Sequence, residues 1–233
     1  FARRLGVSGA GPEAAAKLRA LPADAVIGGV NMLNNADRAA TVNWMLDGVV
    51  ARETPLAGLA AGRHARVPVM VGANSDELGA LPMIDAWSRS TLAAFGDAAP
   101  AIEAAYGAEL RRLPSDAVFV EPARFMAEAV TAGGQPAYHY SFAYVAESQR
   151  AQLKGARHAS EIPYVFNNPD VIPGVTAQDR KVAAAVSAAW ACFAKTGDPG
   201  CEGWTWPAYG DTRATLVIDG ASPDPKTKVW GGE

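Results

Sequence analysis

Residues 155–166 read Gly-Ala-Arg-His-Ala-Ser-Glu-Ile-Pro-Tyr-Val-Phe and set one of the chain's three histidines, His158, in a loop-like run that opens onto a short apolar segment. An imidazole placed there can turn into a cleft while its flanks stay packed. Histidine changes charge near neutrality, which suits it to proton transfer. Glu161 follows three residues later and would share a face with His158 if the stretch were helical. A second group of chemistry-bearing side chains, Asp76 and Glu77, follows the apolar run Val67-Pro68-Val69-Met70-Val71-Gly72. Uninterrupted Val-rich runs suit a strand buried on both faces of a mostly parallel sheet. Ligands in open α/β sheets sit beyond the carboxyl ends of the strands, so two acids in that loop mark a candidate site. Plainer roles stay open on these residues alone: a cap for the next helix in the case of the acids, and a surface or satisfied core position in the case of the histidine.

The elements that must hold these groups are legible in outline. Helices are expected at 13–21 behind Pro12, at 22–30, at 55–61 up to Gly62, at 86–94 and at 98–106. A longer helix is expected over 115–132, started by Ser115 and Asp116 and stopped by Gly133-Gly134. Residues 135–145 alternate aromatic and small side chains and read as a strand, with His139 in pleat packing. A helix over 176–195 ends at Thr196-Gly197-Asp198-Pro199, Trp204-Thr205-Trp206-Pro207 forms a turn that covers apolar surface, and 214–219 is a last strand. Asp47-Gly48 is a turn pair between apolar flanks. Gly6-Val7-Ser8-Gly9-Ala10 approaches the nucleophile-elbow pattern G-x-S-x-G, but a charged stub precedes it and a Gly/Pro linker follows, where an elbow needs a buried strand and a helix. Ser8 therefore reads as a turn or cap residue.

Length and composition narrow the function classes. A chain of 233 residues with 49% hydrophobic and 19% charged side chains can bury a large core. A formal net charge of −3 gives no reason to expect nucleic acid or an anionic membrane as partner. No apolar run approaches the roughly 18–20 residues of a membrane span, and Phe1-Ala2-Arg3-Arg4-Leu5 lacks the apolar core of a signal peptide. The start without Met looks like the inside of a longer protein. The two cysteines, Cys192 and Cys201, lie across a Gly/Pro turn where a local disulfide is feasible, and spacing alone leaves it undecided. Without a paired histidine or further cysteines they do not form a zinc pattern, and the scattered acids show no metal constellation.

Several stretches, in matching order, resemble the type B carboxylesterases, the cholinesterase-like branch of the α/β-hydrolase fold. Leu46-Asp47-Gly48-Val49-Val50 with Thr54-Pro55 resembles a "DG…P" segment. Residues 67–79, ending Asn74-Ser75-Asp76-Glu77-Leu78-Gly79, resemble the strand and loop that carry the family's acid. Residues 138–142 resemble the strand before the histidine loop, and His158-Ala159-Ser160-Glu161-Ile162-Pro163-Tyr164-Val165-Phe166 the histidine segment itself. Trp190-Ala191-Cys192-Phe193-Ala194-Lys195-Thr196-Gly197-Asp198-Pro199 is similar to the family's W-x-x-F-A-x-T-G-x-P, and Trp206-Pro207-Ala208-Tyr209 fits as well.

The resemblance implies an α/β chain, the C-terminal portion of an α/β-hydrolase with a central, mostly parallel sheet flanked by helices, and residues 1–233 as the C-terminal part of one catalytic domain. It implies a carboxylic ester hydrolase with a Ser-Glu-His triad, with Glu77 on the acid, His158 on the base and Glu161 on a supporting glutamate. The family's serine elbow and Gly-rich oxyanion loop lie upstream of the segment that residues 1–21 resemble. The implied partners are thus a small-molecule ester and the N-terminal part of the same enzyme, with no cofactor. A non-catalytic, adhesion-type cholinesterase relative and a different α/β-hydrolase, a peptidase or lipase, are the alternatives. Glu121-Pro122 stands where vertebrate relatives carry a cysteine before the proline, and the Ala/Gly-rich composition is closer to bacterial members. Residues 31–43, which shape the acyl pocket in relatives, match poorly. Many relatives are exported, which leans localisation toward secretion or the periplasm.

Overall fold

The Val-rich run does form a strand, displaced slightly toward the acids and fully buried only at Ala73 and Asn74: β1 is Val69–Asn74 in the computed structural model, which describes residues 1–28, 46–200, 204–210, 212–220 and the backbone of 226–229. The chain divides into two units, Phe1–Pro55 and Leu56–Glu233. In the first, a 3-10 turn (Ala2–Leu5) stops at Gly6, and two short helices follow, α1 (Pro12–Arg19) and α2 (Ala23–Ile27). Ser8 is exposed in the irregular stretch between the turn and α1, with no strand before it, so the geometry of a nucleophile elbow is absent. Asp47 forms the expected turn, its Oδ1 accepting the N–H groups of Val49, Val50 and Ala51. Residues 31–43 lie outside the described residues.

In the second unit the helices before the sheet's second strand are α3 (Pro55–Ala60), α4 (Ile84–Ala94), α5 (Ala99–Tyr106), the single turn α6 (Leu113–Ser115) and α7 (Glu121–Ala132). Then come β2 (Ala137–Phe142), α8 (Ile162–Val165), α9 (Ala177–Thr196), β3 (Ala214–Ile218) and β4 (Lys226–Val229). The sheet order is β1-β2-β3-β4. β1 and β2 are parallel from Val69 opposite Ala137 to Asn74 opposite Phe142, β2 and β3 are parallel, and β4 is antiparallel to β3. Parallel neighbours need long crossovers, and the helices between β1 and β2 and between β2 and β3 supply them. The strand over 214–219 is thus not the last. β4 escaped notice because Lys226-Thr227-Lys228-Val229 has no apolar run, as suits an edge strand.

The two faces of the sheet follow the period-two alternation of strands. Tyr138, Tyr140 and Phe142 of β2 face one layer, where Val182, Ala183, Val186 and Ala189 give α9 a single apolar stripe. Trp204 and Trp206 close this layer: the Trp206 ring lies 5.7 Å from that of Trp190 and 6.2 Å from that of Tyr140. Val69, Val71 and Ala137 face the other layer, against Ala127 and Val130 of α7 and Tyr209. Where β1 crosses Tyr140 the strands leave no room for a side chain: a Cβ on Gly72 would lie 2.2 Å from the Tyr140 carbonyl oxygen.

The long helix over 115–132 is only partly as expected. The α-helix proper begins at Glu121, and residues Asp116–Val120 form a π turn that follows α6. Pro122 supplies the reason, since it lacks an N–H and its ring crowds the carbonyl four residues back, at Val118. Ser115 and Asp116 do not cap this helix: Ser115 Oγ accepts the Leu78 N–H at 3.1 Å, and Asp116 accepts the Tyr106 hydroxyl at 2.9 Å. Burial raises the Asp116 carboxyl above its ordinary range, opposed in part by that hydroxyl.

The N-terminus of α9 is held by a capping box, with Thr176 Oγ1 accepting from the Asp179 N–H and the Asp179 carboxylate accepting from the Thr176 N–H at 2.8 Å. Asp179 is 0% exposed. It also accepts the Tyr144 hydroxyl at 2.7 Å and the Glu147 N–H at 3.1 Å. Burial pushes its carboxyl upward, but these donors outweigh burial and hold it below the ordinary 3.8. A carboxylate depressed on folding contributes stability above that ordinary value and loses it as the pH falls through the folded one. Tyr144→Phe in the full-length protein should therefore cost about 1.5–3 kcal/mol at neutral pH, with the deficit shrinking as the medium is acidified below pH 3.8. Urea denaturation at a series of pH values reads this directly, and a pH-independent deficit would remove Asp179 from the account.

Candidate active site

At the carboxyl end of β1 the chain is welded to the segment that carries His158. The Ser75 N–H donates to the Phe142 carbonyl at 2.9 Å, the Asp76 N–H to the Ala156 carbonyl at 2.9 Å, and the Ala156 N–H to Ser75 Oγ at 3.0 Å. Asp76 and Arg157 form a parallel β-bridge, so residues 155–157 run alongside the loop as a short continuation of the sheet. Gly155 is required by the closeness of this approach. A Cβ there would lie 2.8 Å from Asp76 Cβ and 2.9 Å from Ser75 Oγ.

The weld brings together two side chains 81 positions apart: His158 Nδ1 lies 2.6 Å from Glu77 Oε2. The carboxylate is 7% exposed and the imidazole 56%. Glu77 Oε1 accepts the Asn74 N–H at 2.8 Å, so each carboxylate oxygen has a donor. A carboxylate on Nδ1 holds the proton on that nitrogen and leaves the Nε2 lone pair for a reacting group. The Phe119 ring, carried on the π turn, lies 5.2 Å from the imidazole at 51° and flanks it. The arrangement can accept a proton at Nε2, stabilise the imidazolium formed and return the proton.

Neither acid of the loop caps a helix: the next helix, α4, starts at Ile84 behind Met83. Asp76 contributes its backbone to the weld, and Glu77 alone reaches the histidine. Glu161 does not share a helical face with His158, because Ala159 is left-handed, with φ 64°, and breaks the helical path between them. Glu161 instead accepts a hydrogen bond from Asn74 Nδ2, a charge-assisted contact. Asn74 and Phe119 are the site residues that motif reading passed over. The signal for Asn74 was a buried-strand run ending in an amide. For Phe119 there was none, since its placement depends on the π turn.

His139 is buried on β2 with Nδ1 2.9 Å from Thr215 Oγ1. Burial, then the charge of Arg124, lower its pKa to about 4, so it is neutral at physiological pH and serves the strand packing expected of it. A cleft of about 490 Å³ opens beside the strand ends, lined by Asn74, Asp76, Arg112, Asp116, Lys154 and their neighbours. Glu77 and His158 do not line it, so the pair stands on the rim of the strand ends. Cys192 is disulfide-bonded, and Cys201 lies outside the described residues. Among the described residues no helix is long and apolar enough to cross a membrane.

Residues 85–225 match the Carboxylesterase family. The chain belongs to that family. It is 31% identical over 195 residues to the para-nitrobenzyl esterase of Bacillus subtilis, covering 75% of this chain and 38% of that protein. It is 29% identical over 226 residues to carboxylesterase 1C of Rattus norvegicus, covering 83% of this chain and 41% of that one. Among solved structures, a PNB esterase superposes with a TM-score of 0.75 at 24% identity over 96% of this chain and 50% of its own. The fold is therefore that of the α/β-hydrolase esterases, with the parallel strands β1–β3 in the sheet. This carboxylesterase-family chain spans about two fifths of the length of those relatives. His158 and Glu161 lie within the matched residues, and Glu77 lies just before them.

Gly155→Ala in the full-length protein should destabilise it by about 1–3 kcal/mol, through the forced separation of the histidine segment from Ser75 and Asp76. Differential scanning calorimetry measures the loss; an unchanged transition would mean the two segments are not held at this distance in solution.

Proposed function

We propose that this chain is the C-terminal part of a serine carboxylic-ester hydrolase. Glu77 and His158 are the acid and base of a Ser-Glu-His triad, and the nucleophilic serine and the oxyanion hole come from an N-terminal part of the same enzyme. The observation that carries this reading is the buried carboxylate of Glu77 at 2.6 Å from Nδ1 of a half-exposed imidazole, beyond the carboxyl end of a parallel strand. Membership of the carboxylesterase family supports it. An imidazole oriented this way draws the proton from the serine hydroxyl as oxygen attacks the ester carbonyl, then delivers it to the departing alcohol. In the second half a water gives its proton to the same nitrogen as its oxygen adds to the acyl carbon; the bond to the serine oxygen breaks, the acid leaves, and the imidazolium returns the proton to the serine. Glu77 remains ionised, fixing the tautomer and balancing the imidazolium. The substrate class is a small-molecule carboxylic ester. Glu161, one hydrogen bond removed through Asn74, supports the histidine segment.

In the complete enzyme His158→Ala should lower kcat by about 10⁴- to 10⁶-fold, and Glu77→Gln, which keeps shape but not charge, by about 10⁴-fold. Steady-state hydrolysis of a chromogenic ester reads both, and a loss below about tenfold for His158→Ala removes the triad assignment. A fluorophosphonate should label one serine outside these 233 residues. Label on Ser8 or another serine of this chain, located by peptide mass spectrometry, would overturn the division of the triad.

A further inference from the structure

Asn74 is 3% exposed and stands at the last position of β1, paired across the sheet with Phe142. Its main chain serves the acid: the Asn74 N–H donates to Glu77 Oε1 at 2.8 Å. Its side chain serves the other half of the pair. Nδ2 donates to the carbonyl of Arg157, the residue before His158, at 2.7 Å. The same nitrogen donates to the carboxylate of Glu161, three residues after His158. An amide NH₂ has two hydrogens, and these two acceptors use both. Neither acceptor has a proton to give in return, so the amide has one orientation. The opposite one would put its oxygen against a carbonyl and a carboxylate.

The local chain closes a single turn around the histidine, the Ser160 N–H donating to the Arg157 carbonyl at 3.0 Å. Ala159 within it sits in the left-handed region, with φ 64°, where an L side chain is disfavoured by about 1–2 kcal/mol, and no regular helix runs through His158. The Ser75–Asp76 weld holds the segment before the imidazole; Asn74, at the strand end, is the side chain that reaches both its flanks.

We infer that Asn74 is a positioning residue for His158: its amide clamps both flanks of the histidine segment, through the Arg157 carbonyl and the Glu161 carboxylate, while its backbone N–H holds the partner carboxylate of Glu77. The inference rests on the reading of Glu77 and His158 as triad members and assigns to Asn74 the registration of one against the other. Asn74 touches no reacting atom. It acts by keeping the 2.6 Å contact, and a misplacement of about 1 Å at such a contact can cost about 10²-fold in rate.

The test uses the complete enzyme with kcat expressed per fluorophosphonate-titrated site, so that only folded, competent sites are counted. Asn74→Asp keeps the shape and the backbone contact to Glu77, but turns a double donor into an acceptor facing two acceptors. It should lower kcat by about 10- to 100-fold with KM changed by less than about twofold, a split that general loosening of the fold does not produce. Adding Glu161→Gln to Asn74→Asp restores one bond with donor and acceptor exchanged, and should recover about fivefold or more of the lost kcat. Asn74→Ala, which removes the donor without adding charge, gives the same split if Asn74→Asp does not fold. A kcat per site within twofold of the parent in these variants, or no recovery on the exchange, overturns the clamp while His158→Ala stays inactive. Full activity in His158→Ala instead overturns the triad reading, and the clamp with it.

Discussion

A buried carboxylate is tolerable only where its oxygens are met by donors, and at Glu77 that requirement organises this chain. One oxygen takes the Asn74 N–H and the other faces His158 Nδ1. The second partner comes from a segment beyond the second strand, so the pair exists only if β1 and β2 are parallel and in the observed register. That arrangement requires the crossover of helices α4 to α7, and α7 must cover one face of the sheet while α9 covers the other. The capping box of α9 and the Tyr144 hydroxyl converge on Asp179 just past β2. They fix the exit of that strand toward the histidine segment, and the aromatic contact of Tyr164 with Tyr144 and Phe142 secures the short helix α8 behind it. Each element is ordinary; together they set one carboxylate against one imidazole.

Much of this was legible in the amino-acid sequence, for specific reasons. The Val-rich run, the Gly/Pro stops and the apolar stripe of α9 are local patterns with a single structural solution, and they placed the parallel strands and most helices. Glu77 and His158 stood out through their surrounding motifs and through the strand-end position of the acid, and the structure brings the two side chains together. What stayed hidden depended on partners remote in sequence. Nothing near Asn74 announces that its amide will reach Arg157 and Glu161. Nothing near Glu161 shows that a left-handed Ala159 will turn it from the histidine toward β1. The short polar β4 carries no hydrophobic signal, because its place at the sheet edge does not demand one.

The chain also separates fold from chemistry. The carboxylesterase family and the α/β-hydrolase architecture follow from likeness over most of its length, whereas the proposed chemistry rests on a few contacts at one rim of the sheet.

The π turn at Asp116–Val120 has a further consequence. A π turn carries one more residue than an α turn, so everything before it is rotated by about 100° relative to an uninterrupted helix. Ala127 and Val130 present one apolar line to the sheet, while Phe119, within the π turn itself, comes round to the imidazole. A single helical segment thereby addresses two surfaces that a regular helix could not reach together. The ring beside His158 owes its position to phase, and a family member lacking this one extra residue would present a different side chain to the same imidazole.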